Sequence, residues 1–452
     1  LTDEQKKIVE HFGSPLRVLA GPGTGKTFCI IEKIKYLLIN KNIPYADIST
    51  ITFTNAAATE LRQRLHKSGI KADQFPYANT LHGLAMGILK KNISKIGLDS
   101  CFKPLDNFTK RILINDTEQD LRNKKIFIQR SEKYFYIKAY EQEKHRGQVP
   151  DVITTDKNKK KIYEEFKVSF QSNLNFYNLL CWEDVLLRTI DLIDRFQEIK
   201  DEVHLRTKYL LVDEFQDLSP LEQNFIEKIC ANKDGLCIVG DDDQCIYETF
   251  RFADPNGIID FHKKYSGCKD YPITICRRCP PEVIEKSLKL IENNKVRVKG
   301  KKLEAIDKSK KGFVVTLTHK SKKAEKEWVV SKVKEMLAKG YKEEDIMILF
   351  TDGKIAADYI AALQNEGLNL NIKIKLQDIF ETENSIWLIS TLRLLINLSD
   401  NLSLRQCLDS WEGIGSETVW QLRLNAIASK CSLWEVVENI SNRNCINNVH
   451  KW

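Results

Sequence analysis

Short apolar runs alternate with amphipathic helical patterns along residues 1–90 of the chain. The runs Leu16–Ala20 and 48–53 are rich in residues that favour strands, and each is followed by a pattern with helical spacing. Such alternation is typical of parallel strands that are connected by crossover helices. Further strand patterns occur at Tyr209–Val212 and 236–239, so we predict that these runs belong to the same sheet.

The stretch between the two groups of predicted strands has a different pattern. From 89 to 175 the sequence is rich in Lys, Glu and Gln at helical spacing, for example over 118–163, and it carries few strand signals. We interpret this stretch as a helical insertion. The first domain is therefore predicted to be discontinuous.

A second alternating pattern follows a basic, weakly apolar stretch, 295–311, which we interpret as a solvated linker or surface segment. The predicted elements after it are strand 312–317, helix 323–338, strand 345–350, helix 354–366 and a helical pattern from residue 386 to Trp452. This order predicts a second α/β unit and then an all-helical segment.

A glycine-rich turn follows the first predicted strand and opens a helix, which is the context that a phosphate-binding loop requires. The turn consists of Gly21, Pro22, Gly23, Thr24, Gly25, Lys26 and Thr27. Its glycines let backbone N–H groups and the helix N-terminus face phosphates. Lys26 adds a positive charge for the β- and γ-phosphate oxygens, and the Thr27 hydroxyl is a candidate Mg²⁺ ligand. The turn indicates a nucleoside triphosphate site.

Two carboxylates, Asp213 and Glu214, follow the apolar strand Tyr209–Val212 directly. At the end of a strand beside a phosphate loop, Asp213 is a candidate Mg²⁺ ligand and Glu214 a candidate base for the attacking water. A pair of ordinary surface acids at a strand end is the alternative interpretation. With the phosphate loop present, the pair favours hydrolysis over transfer of the phosphoryl group to another substrate.

Gln244 follows the next predicted strand, 236–239, at the end of the polar run Gly-Asp-Asp-Asp-Gln. A neutral amide can hydrogen-bond the γ-phosphate or the attacking water without competing as a base, so Gln244 is a candidate sensor of the bound nucleotide. Alone, an Asp-Gln after a strand is equally typical of a capped loop.

Composition is compatible with a soluble cytoplasmic protein that binds nucleic acid. Lys and Arg (70) outnumber Asp and Glu (62), which gives a net charge of +8; this permits nucleic-acid binding without establishing it. The longest apolar stretches, such as 387–396, fall short of the roughly 20 residues of a membrane span.

The twelve cysteines lack paired spacing, which favours free thiols in a reducing compartment. The single C-x-x-C, Cys276 to Cys279, has too few companion ligands for zinc.

The segments 213–217 (Asp-Glu-Phe-Gln-Asp) and 239–247 (Val-Gly-Asp-Asp-Asp-Gln-Cys-Ile-Tyr) resemble superfamily 1 helicases of the UvrD/Rep type. The likeness extends over nearly the whole chain. It implies that Gln5, in the opening Leu-Thr-Asp-Glu-Gln, reads the adenine edge. The segment 276–279 is similar to the family's Asn-Tyr-Arg-Ser, which gives Arg278 a role at the γ-phosphate and puts Arg277 at the position of an adenine-stacking tyrosine.

The same resemblance implies a set of contacts to DNA. The matching residues are Phe53, Thr54, Asn55, Thr80, His82, Tyr247, Phe250, Arg251, Gly413 and Gly415. Hydroxyls and amides at strand ends suit phosphate contacts, and an aromatic ring offers a face to an unstacked base. The spacing around Tyr247 is longer by one residue than the family's, so the usual tryptophan position falls on either Thr249 or Phe250. A turn that merely caps a helix is the alternative for Gly413 and Gly415.

The fold implied is α/β, a P-loop NTPase with a RecA-like parallel-sheet domain and a helical insertion, then a partial second RecA-like domain and a helical accessory segment. The expected domains are the first RecA-like domain at 1–90 and 185–280, the insertion at 91–184, the second RecA-like domain at 281–396 and the accessory segment at 397–452. The family's last two motifs do not occur before Trp452. We therefore expect the chain to be a fragment that is impaired in hydrolysis and unwinding.

The function implied is that of an ATP- and Mg²⁺-dependent DNA helicase or translocase. By resemblance it moves 3′ to 5′ on single-stranded DNA and acts at junctions of single- and double-stranded DNA, in repair, replication or defence. The alternative is a regulatory ATP-binding module in a protein complex that does not move on DNA. A small-molecule kinase is disfavoured, because Gln244 and the segment 213–217 have no role in one.

Overall fold

The computed structural model describes residues 1–70, 77–96, 102–371 and 382–442. The chain divides into two compact units, the first formed by 1–312 with 390–452 and the second by Phe313–Ile389. Part of the predicted second RecA-like domain (372–381) and the end of the predicted accessory segment (443–452) lie outside the described residues. The four-part domain division stays a prediction.

The first unit is built on a sheet of six parallel strands in the order β3-β2-β6-β7-β1-β8. The strands described are β1 (Leu16–Ala20), β2 (Ile48–Thr52), β3 (Tyr77–Thr80), β4 (Lys103–Pro104), β5 (Leu179–Leu180), β6 (Tyr209–Val212), β7 (Leu236–Gly240), β8 (Lys269–Ile273), β9 (Ile275–Cys276) and β10 (Glu304–Ala305). Two short pairs, β4 with β5 and β9 with β10, lie outside this sheet. The prediction that β1, β2, β6 and β7 share a sheet is confirmed.

Helices connect and cover these strands. Those described are α1 (Asp3–Glu10), α2 (Lys26–Lys35), α3 (Asn55–Lys67), α4 (Leu81–Lys91), α5 (Asn107–Asn123), α6 (Arg130–Arg146), α7 (Asp151–Thr154), α8 (Lys157–Phe176), α9 (Trp182–Arg195), α10 (Gln197–Arg206), α11 (Pro220–Ile229), α12 (Glu248–Arg251), α13 (Asn256–Ile259), α14 (Phe261–Lys264), α15 (Pro281–Ile291), α16 (Lys322–Ala338), α17 (Gly353–Asn365), α18 (Glu383–Ile396), α19 (Asn401–Asp409), α20 (Ser416–Ser429) and α21 (Leu433–Asn442). The helical pattern predicted over 89–175 is confirmed by α5, α6 and α8.

The central strands are largely buried because helices cover both faces of the sheet. Every residue of β2 and β7 is buried. On one face the core contains residues of α4, α9 and α11, such as Phe225. On the other it contains residues of α1, α2 and α3, such as Ile34 and Leu61. A parallel sheet buried on both faces favours strands that are rich in apolar and β-branched residues, and this is why these strands could be predicted.

The two edge strands, β3 and β8, do not have that pattern and were not predicted. Their sequences are Tyr-Ala-Asn-Thr and Lys-Asp-Tyr-Pro-Ile, and most of their residues are partly exposed. An edge strand has one neighbour instead of two, so polar residues and a proline are tolerated there. Register places Ser49 of β2 opposite Tyr77, and Leu16 of β1 opposite Lys269.

The helical insertion has a core of its own, in which aromatic rings of α6 and α8 pack together, including Tyr136, Phe166 and Phe170. Beside this core, the fully buried Arg423 of α20 pairs with Asp116 and Asp120 of α5. A buried arginine is tolerated only where carboxylates surround it. The pairs therefore fix α20 against the insertion.

The second unit contains α16 and α17, which confirms the helices predicted at 323–338 and 354–366. The strands predicted at 312–317 and 345–350 are wrong, because the described residues there form no ladder with another strand. Their apolar side chains remain open to solvent, with Phe313 81% and Leu349 83% exposed. Strand propensity alone does not make a strand, because a strand exists only through hydrogen bonds to a neighbour.

No helix within the described ranges is both long enough and apolar enough to span a membrane.

Arg17 of β1 joins the edge strand β8 to the segment of chain that precedes it. Its side chain is 5% exposed and pairs with both Asp270 carboxylate oxygens at 2.6 and 2.7 Å, and it also donates to the Ile258 carbonyl at 2.8 Å.

Replacing Arg17 by Ala leaves these acceptors without a partner, so we expect a loss of about 3 kcal/mol in the free energy of unfolding. Denaturant titration measures it. The control Asp191→Ala, in an exposed i,i+4 pair with Arg195, should cost less than about 0.5 kcal/mol. Equal effects of the two substitutions would contradict this account.

Candidate nucleotide site and nucleic-acid surface

The glycine-rich turn lies between β1 and α2 and has the backbone of a phosphate-binding loop. Gly23 and Gly25 have φ values of +71° and +94°, which side-chain-bearing residues rarely adopt. Thr24 is buried and its hydroxyl donates to the Gly21 carbonyl at 2.8 Å, which closes the turn. No side chain caps the N-terminus of α2 at Gly25. The first amides of the helix can therefore face an anion.

The acidic strand end meets this turn directly. Lys26 Nζ lies 2.8 Å from Glu214 Oε2, and the two side chains are 11% and 34% exposed. Glu214 has a left-handed backbone with φ +50°, a costly conformation for a residue with a side chain. The structure thus joins two residues that are 188 positions apart in the chain.

Asp213 is buried immediately beside this ion pair. Burial, and then repulsion by Glu214, raise the pKa of its carboxyl from 3.8 to about 7. Asp217 lies close by, and burial and Glu214 likewise raise its pKa to about 7. Carboxyls with such pKa values accumulate where a site is organised to receive positive charge.

Gln216 is a site residue that the sequence did not single out. It is almost completely buried, and its amide donates to Glu214 Oε2 at 3.0 Å and to Asp217 Oδ2 at 3.3 Å. Its carbonyl oxygen accepts from the Asp241 N–H at 3.0 Å. A Cβ on Gly240 would fall 2.3 Å from that oxygen, so a larger residue there would displace the Gln216 side chain. Gln216 thereby links the ends of β6 and β7. Its position two residues after Glu214 is the feature of the sequence from which its role could have been predicted.

Gln244 lies at the end of β7, in the segment that contains three consecutive aspartates. Its amide donates to Asp241 Oδ2 at 2.8 Å. The side chain is therefore held in place.

Most residues of the stretch 295–311 are exposed, as expected of a surface segment, but two of its basic side chains are paired and mostly buried. Lys301 Nζ lies 2.8 Å from Asp241 and 2.7 Å from Asp242, and it also pairs with Asp243. Arg297 donates two hydrogen bonds to Asp243, at 2.9 and 2.7 Å. Burial opposes the charge of Lys301, but Asp241 and its neighbours raise the Lys301 pKa. We call Arg297 and Lys301 with the three aspartates the basic clamp.

The segment that contains Arg277 and Arg278 packs against the phosphate loop. The Arg277 N–H donates to the Gly23 carbonyl at 2.8 Å, and a Cβ on Gly23 would come within 2.6 Å of the Arg278 Cβ. Both arginines are exposed. Gln5 approaches from the other side, where its amide reaches the Thr24 carbonyl at 3.4 Å. The structure therefore brings Gln5 and both arginines to the same loop.

An aromatic group lies beyond the ends of β2 and β7. The rings of Phe53 and Tyr247 stack with centroids 5.4 Å apart, and the Arg251 guanidinium lies 4.2 Å from the Phe53 centroid. Phe250 is 72% exposed, and Lys138 of the helical insertion lies over its ring at 4.8 Å. These alternating rings and cations form a surface to which unstacked bases and phosphates could bind.

The remaining residues predicted to contact DNA are distributed differently. Thr54 and Thr80 are the N-caps of α3 and α4, and Asn55 is the exposed first residue of α3. His82 is largely enclosed, with its ring edge-on to Trp182, and burial lowers its pKa. His82 therefore presents little surface to a polymer.

Gly413 and Gly415 are exposed and immediately precede α20. Gly413 has φ +90°, whereas Gly415 is the N-cap of α20 and no side chain caps it. Both features suit either a helix-capping turn or a phosphate contact.

Comparison with known proteins agrees with this arrangement. The domain family described as the UvrD/REP helicase N-terminal domain matches residues 1–266, and the UvrD-like helicase C-terminal domain matches 277–444. A probable DNA helicase II homolog of Mycoplasma capricolum is 27% identical, with 97% of this chain and 60% of that protein covered. The ATP-dependent DNA helicases PcrA of Staphylococcus aureus and Staphylococcus epidermidis are 25% and 26% identical, with 97% of this chain and 59% and 60% of those proteins covered. The chain spans about 60% of the length of the relatives it matches. It belongs to the UvrD/REP helicase family.

Proposed function

We propose that this protein hydrolyses ATP with Mg²⁺ and uses the energy to move 3′ to 5′ along single-stranded DNA. The comparisons give no support to the expectations of a fragment impaired in hydrolysis and unwinding or of a regulatory module that does not move on DNA. The observation that carries the proposal is the Lys26–Glu214 pair at 2.8 Å, at the strand ends that also position Phe53 and Tyr247. A triphosphate site and a surface suited to bases thus share one edge of one sheet. The relatives named above are DNA helicases, which supports the same activity.

Hydrolysis is proposed to begin with a change of partner at Lys26. In the structure described, its ammonium is paired with Glu214. When a triphosphate enters the loop, Lys26 and the N-terminal amides of α2 bind its phosphates, and Glu214 loses its counter-ion. The freed carboxylate then takes a proton from the attacking water, while Gln216 keeps the carboxylate oriented through its 3.0 Å hydrogen bond. Arg278 neutralises charge that develops on the γ-phosphate.

Asp213 and Thr27 are the residues proposed to hold the magnesium ion. Carboxylate and hydroxyl oxygens are the hard donors that Mg²⁺ prefers. The raised pKa of Asp213 supports the fit, because a buried carboxylate beside another carboxylate is stabilised by an added cation. When bound, the ion would neutralise charge on the β- and γ-phosphates.

Coupling to DNA is proposed to run through the segment after β7. Gln244 senses the γ-phosphate, and Tyr247, three residues later, stacks on Phe53 at the DNA surface. The basic clamp restricts the three aspartates before Gln244, so that movement of Gln244 passes to Tyr247 instead of being absorbed by the turn. Arg277 stacks on the adenine and Gln5 reads its edge.

The remaining parts of the proposal rest on the family resemblance. The DNA surface comprises Phe53, Thr54, Asn55, Thr80, His82, Tyr247, Phe250 and Arg251, with Gly413 and Gly415 contacting duplex DNA at a junction. The domains are 1–90 with 185–280, 91–184, 281–396 and 397–452. We propose a role in DNA repair, replication or defence within the cytoplasm, a compartment that suits the free described cysteines.

Glu214→Gln and Lys26→Ala test the hydrolytic site. Glu214→Gln removes the base but also releases Lys26, so we expect kcat to fall by about 10² or more while ATP affinity is kept or improved. Lys26→Ala should instead weaken ATP binding. Steady-state ATPase assays with single-stranded DNA and calorimetric titration with ATP measure these effects. The control Glu198→Gln, at an exposed surface pair, should match the wild type. Normal turnover by Glu214→Gln would contradict the assignment of the base.

Asp213→Asn tests the buried carboxyl through stability. With its pKa raised to about 7, folded Asp213 retains a proton that the unfolded chain releases above pH 3.8. Its contribution to the free energy of unfolding therefore becomes less favourable between pH 4 and pH 7, and the full cost is present above that range. We expect Asp213→Asn to equal the wild type near pH 4 and to exceed it by about 2–4 kcal/mol near pH 8. Denaturant titration at both pH values measures this; a difference independent of pH would contradict it.

Phe53→Ala tests the DNA surface. Loss of a stacking ring should weaken binding of single-stranded DNA by about 1–3 kcal/mol and lower DNA-stimulated ATPase, with basal ATPase unchanged. Phe127→Ala, another exposed phenylalanine at 75%, is the matched control and should have no effect. Fluorescence anisotropy with labelled DNA at several salt concentrations measures the affinity. If DNA neither binds nor stimulates the wild-type ATPase, the proposal of movement on DNA fails.

A further inference from the structure

Two cysteines, Cys276 and Cys279, flank the arginine pair of the nucleotide site. Cys276 ends β9 and Cys279 precedes α15, and together they form the only C-x-x-C of the sequence. The UvrD/Rep-type pattern has Asn and Ser at these two positions. The two thiols therefore distinguish this chain from the family pattern, and they have no part in the reaction proposed above.

The bend over residues 277–279 brings the two cysteines together. The Cys279 N–H donates to the Cys276 sulfur at 3.4 Å. Burial, and then the neighbouring Cys276, raise the pKa of the Cys279 thiol. Two cysteines that are joined by a hydrogen bond within one bend satisfy the first requirement for a disulfide, which is that the chain needs little movement to close it.

The pair is in contact with the phosphate loop. Cys276 is fully buried, and its sulfur lies 3.0 Å from the point where a Cβ on Gly23 would be. The next residue, Arg277, donates its N–H to the Gly23 carbonyl. A change in the position of the Cys276 sulfur therefore alters the packing between the arginine bend and the loop.

We propose that Cys276 and Cys279 form a redox modification site, in which an intramolecular disulfide slows ATP turnover by fixing the bend that contains Arg277 and Arg278. The effect on turnover rests on the proposed function, because it requires Arg278 to act at the γ-phosphate. The modification itself does not. It requires only the two thiols and a low-molecular-weight disulfide as the oxidant.

The chemistry is a double thiol–disulfide exchange. The partly exposed Cys279 loses its proton to solvent and attacks one sulfur of the small disulfide, which forms a mixed disulfide and releases one small thiolate. Cys276 then loses its proton and attacks the Cys279 sulfur, so that the protein disulfide forms and the second small thiolate leaves. Two cysteine thiols are oxidised and one small disulfide is reduced to two thiols. Because the pKa of Cys279 is raised, the reaction should become faster as pH increases.

A metal site is the competing use of two adjacent thiols. Within the described ranges, no group of three or more His, Cys, Asp or Glu side chains is arranged to hold a metal ion. Two thiolates alone leave a zinc ion half coordinated. Oxidation is therefore the chemistry that the pair favours.

The test treats the reduced protein with oxidised glutathione and measures intact mass, a peptide map and ATPase rate. We expect a loss of two hydrogen atoms, a peptide linkage between Cys276 and Cys279, and a fall in ATPase of at least about fivefold. Dithiothreitol should reverse all three. Cys279→Ser, which introduces the family's own residue, should keep its ATPase and lose the response. Cys268→Ser, which alters a partly exposed cysteine elsewhere, should respond like the wild type.

Each other result overturns the proposal in a defined way. An unchanged mass, or a glutathione adduct that Cys276 never displaces, shows that the pair does not close. A linked pair with unchanged ATPase overturns the effect on turnover and retains the modification. If the reduced wild type lacks ATPase while the linkage forms, then the proposed function has failed and the modification site has not.

Discussion

The ion pair between Lys26 and Glu214 is the interaction on which the rest of the site depends. In a parallel sheet, the carboxyl ends of all strands meet at one edge, so residues that follow different strands gather there. In this protein that edge concentrates acids: Asp213 and Glu214 after β6, and the aspartates 241–243 after β7. Buried acids at such density require cations. Lys26 supplies one of these cations beside the phosphate loop. The charge balance of the site therefore depends on the group with which this lysine is paired.

A second group of cations serves the other half of the same edge. Lys301 and Arg297 neutralise the aspartates at 241–243, which leaves Lys26 as the cation that is close to Glu214. The division has a consequence for function. The basic clamp is an internal structural pairing, whereas the Lys26 pair is the one that we propose to be exchanged for phosphate. If Lys26 were paired permanently with a carboxylate, its charge would not be available to bind the phosphates of a nucleotide.

The sequence predicted those parts of the fold whose cause is local. β1 and β6 have the predicted bounds because strands buried on both faces are rich in apolar residues; Arg17, the exception in β1, is paired with Asp270. The glycine-rich turn was evident because positive φ values demand glycine. The edge strands β3 and β8 were missed because one-sided pairing relaxes that requirement, and the strands predicted in the second unit were wrong because no described neighbour pairs with them. Local pattern thus predicts burial and turns, but it does not predict pairing.

The same distinction separates the predicted site residues from the missed ones. Asp213, Glu214 and Gln244 follow predicted strands, so their convergence at one edge could be inferred from topology. Lys301 could not, because its role depends on a contact with Asp241 across 60 positions of chain, and a basic run looks the same whether it is solvated or paired. Gln216 was missed for a related reason. Its side chain occupies the space beside Gly240. Because that contact joins two segments of the chain, it cannot be predicted from the sequence of either one.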